Sequence, residues 1–125
     1  ENYIGGFADD TETGEAIAEG YGKFNYLIDT HTAVAWKTLS DVRRGGYEAP
    51  TVVVSTASPF KFCKSVLNAL GDKKEAPGTE LIERLALVTR NPIPEPLYDL
   101  DKKKVRFDRV VGKGDMKKTV VDFLI

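Results

Sequence analysis

A chain of 125 residues holds one domain by length, with room for a core that buries roughly two thirds of the unfolded surface. Apolar residues at 42% beside charged residues at 30% describe an ordinary globular protein, and 18 basic against 19 acidic residues leave a charge of −1, which excludes a bulk field for nucleic acid or membrane. The single cysteine, Cys63, excludes an internal disulfide and fits a reducing cytoplasm, and no apolar run approaches the roughly 18 residues of a spanning helix.

The chain opens on Glu1 with no secretory pattern, and its only methionine is Met116. That start is expected of a piece of something longer, or of a chain relieved of a tag or pro-segment. Ala8-Asp-Asp-Thr-Glu-Thr13 offers several helix caps and acidic residues for a first turn. Behind it Ile17, Tyr21 and Phe24 share a helical face, while Gly14, Gly20 and Gly22 leave the helix dependent on tertiary contacts. After the brief apolar run Tyr26-Leu27-Ile28, Asp29 or Thr30 caps a second helix that Gly45-Gly46 stops. Its Ala33, Val34, Ala35, Trp36, Leu39 and Val42 are apolar over most of the circumference near the start, as expected of a helix buried between layers.

Pro50-Thr-Val-Val-Val-Ser-Thr56 is the clearest strand expectation, a β-branched run suited to a sheet covered on both faces. Ser58 then caps and Pro59 opens a third helix striped by Phe60, Cys63, Val66, Leu67 and Leu70, with Gly71 at its end. Residues 72–78 form a polar hinge, and Thr79 to Leu87 a short helix. Pro92, Pro94 and Pro96 put an extended arm over 91–104. Val105 to Val111 alternates as a last strand, and Asp115 caps a terminal helix bearing Met116, Val120, Phe123 and Leu124. The fold class expected from this order is α/β, with few strands covered by helices.

Polar residues gather where strand-like runs give way to helices, the edge at which open α/β sheets bind ligands. In Ser55-Thr-Ala-Ser58, a hydroxyl at a strand's end can hydrogen-bond a heteroaromatic nitrogen, or Thr56 merely ends the strand while Ser58 caps its helix. Asp29 and His31 are either ligand-facing or a cap and a tolerated first-turn histidine. One histidine cannot build a His-rich metal site, and Cys63 in an apolar stripe packs rather than reacts. Gly112-Lys113-Gly114 lacks the frame of a phosphate loop, and the acidic cluster from Asp9 to Glu12 lacks calcium-loop spacing.

Two of these segments carry a resemblance. Tyr26-Leu-Ile-Asp-Thr-His-Thr-Ala-Val-Ala35 resembles the G-Y-L-x-D-P-H-T-A-V-A segment of threonine synthases, and Val54-Ser-Thr-Ala-Ser-Pro-Phe-Lys-Phe62 resembles their T-A-S/H-P-x-K-F segment. The Pro-rich arm and the stretch from Val105-Arg-Phe107 to Phe123 are similar to that family's C-terminus. Thr30 departs from the pattern, standing where the family usually has proline.

The resemblance implies the C-terminal part of the cofactor-binding domain of a fold-type II pyridoxal-phosphate enzyme, of the tryptophan-synthase-like fold. The implied reaction turns O-phospho-L-homoserine and water into L-threonine and phosphate. Thr56 then matches the hydroxyl that bonds the pyridine nitrogen of pyridoxal 5'-phosphate, and Asp29 and His31 line the same pocket. The family's Schiff-base lysine and glycine-rich phosphate loop match nothing here; Lys61 sits on the apolar third helix instead. Alone, the chain is expected to be inactive and not to retain the cofactor. Its expected partners are the N-terminal part of the same enzyme and, through exposed sheet edges, other copies of itself. The alternative is a non-catalytic binding module derived from such an enzyme.

Overall fold

The computed structural model of the protein describes residues 3–125, so Glu1 lies outside the described residues. Five α-helices occur among the described residues: α1 (Asp10–Phe24), α2 (Thr30–Arg44), α3 (Cys63–Ala69), α4 (Gly78–Thr89) and α5 (Met116–Leu124). Single 3₁₀ turns lie at Pro59–Lys61, Glu95–Leu97, Leu100–Lys102 and Lys113–Asp115.

No strand occurs among the described residues, which corrects the α/β expectation to an all-helical fold. The reason is physical. A helix satisfies its N–H and C=O groups from its own chain, whereas a strand needs a neighbour to complete the ladder. Residues 51–57 have the β-branched composition but no ladder partner, and Val52 stands 87% exposed. Val105 to Val111 fares the same way, with Val110 93% exposed.

The helix ends follow local chemistry. Asp9 and Glu12 form a reciprocal capping box on α1, with Asp9 Oδ1 accepting the Glu12 N–H at 2.8 Å and Glu12 Oε2 accepting the Asp9 N–H at 3.1 Å. Helix α2 ends in paired reverse bonds, Tyr47 N–H to the Val42 carbonyl at 3.4 Å and Gly46 N–H to the Arg43 carbonyl at 2.9 Å. Helix α3 repeats the pattern from Asp72 to Leu67 at 2.9 Å and from Gly71 to Asn68 at 3.0 Å. Both require a left-handed residue after the cap, supplied by Gly46 (φ 96°) and Gly71 (φ 85°).

Elsewhere the packing departs from the sequence pattern. The third helix is broken, because Phe62 (φ −128°, ψ 36°) separates the turn opened by Ser58 and Pro59 from α3. The 91–104 arm is not continuously extended, since two 3₁₀ turns fold it. Asp115 precedes α5 but makes no capping bond through its side chain. Helix α2 buries Thr32 and Ala33 but leaves Ala35 exposed and Trp36 half-buried, so it covers one side of the core and is not sandwiched.

That core lies where α1 packs on α2 and α3, and α3 on α4. Ile17 of α1, Ala33 of α2, Val66 and Leu67 of α3 and Leu85 of α4 meet there almost without exposure. Each large side chain so buried contributes roughly 1.5–3 kcal/mol. Ile28 joins them from the loop before α2, which fixes the next residue, Asp29, against the core.

Candidate functional site

The N-terminus of α2 organises the site. Asp29 has extended backbone (φ −82°, ψ 170°) and no exposed surface, and its Oδ1 accepts the His31 N–H at 2.9 Å. Oδ1 also lies 3.0 Å from His31 Nδ1, and Oδ2 accepts the Thr32 hydroxyl. Thr32 Oγ1 in turn lies 3.0 Å from Ser55 Oγ. The line Asp29–Thr32–Ser55 thus joins two segments that are 23 residues apart in sequence.

Proton counting fixes the sense of these bonds. Burial pushes the Asp29 carboxyl up, but the Thr32 hydroxyl, the His31 N–H and ring, and the Thr32 N–H outweigh it and hold the group below its ordinary value. An ionised carboxylate only accepts, so Thr32 gives its one proton to Asp29, and its oxygen accepts from Ser55. By the same rule His31 carries a proton on Nδ1.

His31 is 62% exposed at its side chain and packs edge-to-face on Phe62, centroids 4.9 Å apart. It borders a groove of about 840 Å³ between α1, α2 and α3, into which Thr13, Ser65, Asn68 and Lys73 also contribute. Thr56 lies elsewhere, exposed on the irregular segment next to Ser55. The structure therefore joins Asp29 to His31 directly and, among the described residues, links Asp29 to the Thr56 corner through Thr32 and Ser55.

The other sequence candidates resolve simply. Asp9 and Glu12 spend their carboxylates on helix capping. Lys61 is exposed at an apolar groove shared with Phe60, Phe62, Leu81 and Ile82. Cys63 is buried, its thiol 3.1 Å from the Phe60 carbonyl, and burial pushes it up, away from the reactive thiolate. Lys113 lies in an exposed turn before α5. No cluster of three or more metal-ligating side chains, and no helix long and apolar enough to cross a membrane, occurs among the described residues.

Thr32 was not singled out by the sequence, and Ser55 stood only as the first residue of the hydroxyl corner, with no role of its own. A signal for Thr32 existed, since a hydroxyl three residues after a capping aspartate faces the same first turn. The partner of Ser55 was not legible, because it is set by tertiary packing alone.

Residues 32–121 match the family model described as threonine synthase, C-terminal. Threonine synthase-like 1 of Mus musculus is 29% identical over 93% of this chain and 16% of its own length. The threonine synthase of Pseudomonas aeruginosa is 36% identical over 60% of the chain, and that of Methylobacillus glycogenes 32% over the same share. The chain covers 16% and 15% of those two proteins, so it spans about a sixth of the length of the curated relatives it matches.

Proposed function

Because this chain belongs to the threonine synthase family, whose C-terminal part it matches, we propose that it completes a pyridoxal-phosphate enzyme turning O-phospho-L-homoserine and water into L-threonine and phosphate. One observation carries the reading: the two segments that resemble the family, 26–35 and 54–62, are joined side chain to side chain through Thr32 and Ser55. A chance likeness of sequence gives no reason for that meeting.

The residues at the corner fit the cofactor by their donor chemistry. Thr56 presents an exposed, neutral hydroxyl, while the nearby negative charge is withdrawn into the core at Asp29. A neutral hydroxyl bonds a ring nitrogen without holding it protonated, as a carboxylate would. Pyridoxal 5'-phosphate, when bound, supplies the electron sink for breaking the substrate's carbon–oxygen bond to phosphate. In this reading Thr56 holds the ring nitrogen. Asp29, having no exposed surface, acts through its partners, and His31 spends Nδ1 on Asp29 while its ring borders the α1–α2–α3 groove, whose lining does not include Thr56.

The remainder of the enzyme polypeptide is the partner we assign to the exposed surface. The accessible area is 9862 Å² for 13.8 kDa, about half as much again as a compact monomer of that mass presents. Much of the excess is apolar: Val52, Val54, Val105, Phe107, Val110 and Phe123 are all largely exposed. Pairing 51–56 and 105–111 with strands from that polypeptide would cover them. A cytoplasmic setting, where the Cys63 thiol stays reduced, belongs to the same proposal.

The test is a full-length enzyme carrying this sequence, assayed for phosphate release and threonine formation from O-phosphohomoserine. The expected result is activity in the wild type and a loss of cofactor affinity of about tenfold in Thr56→Val, the scale of one hydrogen bond to the ring. No phosphate release, or a Thr56→Val enzyme that holds the cofactor as the wild type does, would refute the assignment.

A further inference from the structure

We propose that Thr32 and Ser55 are positioning residues that fix where the Thr56 hydroxyl is presented, by tying the Ser55–Thr56 corner to the N-terminus of α2. The inference rests on the reading of Thr56 given above, and it adds two residues that act through a third.

The two sides of the Thr32–Ser55 bond differ in firmness. On the helix side, Thr32 is buried, Asp29 has no exposed surface, and Ile28 and Ala33 on either flank sit in the core. On the other side, residues 51–57 carry no regular structure, and Ser55 and Thr56 are exposed. The Thr51 hydroxyl bonds only locally, to the Ala49 carbonyl at 3.0 Å. Among the described residues, the Ser55 hydroxyl makes the side-chain hydrogen bond that links 51–57 to a helix.

The bond also has an imposed direction. Ionised Asp29 takes the Thr32 proton, so Thr32 can only accept from Ser55. Ser55 must therefore turn its hydroxyl proton toward α2, which sets the rotation of the residue next to Thr56. A ladder partner from elsewhere in the enzyme would steady the Val52–Val54 run. The corner beyond that run still turns on its side chains, because the 3₁₀ turn capped by Ser58 begins only at Pro59.

Two measurements decide the matter, both using Ser55→Ala, which removes an exposed hydroxyl and leaves the core intact. In this chain, the fast backbone motion of 53–57 should grow in the variant, its NMR order parameters dropping toward about 0.6 or below, with α1 and α3 unchanged and Ser55→Thr restoring them. In the full-length enzyme with pyridoxal 5'-phosphate, Ser55→Ala should weaken cofactor affinity in the same direction as Thr56→Val and shift the bound cofactor's absorption maximum. Unchanged order parameters at 53–57 overturn the proposal. So does a Ser55→Ala enzyme with wild-type affinity and spectrum beside an impaired Thr56→Val, which leaves the role of Thr56 standing. An unimpaired Thr56→Val would overturn both.

Discussion

Asp29 carries its charge on a side chain without exposed surface, a placement that costs several kcal/mol unless every lone pair is answered. Here the helix answers it, with the His31 and Thr32 groups on the carboxylate and the positive end of α2 behind them. Its folded value lies below the ordinary 3.8, so the stabilisation is complete above that value and is lost as pH falls from 3.8 through the folded value. Asp29→Asn should cost on the order of 1–3 kcal/mol at neutral pH and flatten that acid limb. Urea unfolding of both proteins across about pH 2 to 7 checks this; parallel curves would show that folding does not lower the Asp29 pKa. The sequence marked Asp29 as a cap or a ligand-facing group, and the first role is realised in the bond to the His31 N–H. It could not show that the same carboxylate leads on to Ser55, since nothing local relates positions 23 residues apart.

At the scale of elements, burial separates residues that look alike in sequence. Leu85 and Leu87 lie two apart on α4, yet Leu85 has no exposed surface and Leu87 is largely exposed. Leu85→Ala should destabilise by about 2–5 kcal/mol through the cavity it leaves, and Leu87→Ala by less than about 0.5. Thermal unfolding distinguishes them, and equal shifts would mean that α4 is not docked on α3 as described. Helix limits were largely legible, because caps such as Asp9 and Asp29 and stops such as Gly46 and Gly71 act within one turn. The strands at 50–56 and 105–111 were not realised, because a β-branched run states a preference and only a neighbouring strand can satisfy it.

For the whole molecule, surface is the governing quantity. Helix α5 turns Val120, Phe123 and Leu124 outward, and Phe107 meets Phe123 edge-on at 6.4 Å in a small exposed cluster. With that apolar area uncovered, the isolated chain should self-associate, its sedimentation coefficient rising with concentration. Replacing Val110 and Phe123 by Lys should suppress the rise, and a wild-type chain that sediments as a monomer throughout would count against the assignment of these faces to a partner. By itself the sequence determined the capped starts of α1 and α2, the glycine stops after α2 and α3, most of the apolar stripe of α3 and the family resemblance, all of which lie in short-range pattern. Tertiary structure alone decided that the β-branched runs stay unpaired, that α2 covers only one side of the core, and that Asp29 connects to Ser55. Each of those depends on which surfaces meet, and burial and hydrogen bonding between distant segments are properties of the packed chain rather than of any stretch within it.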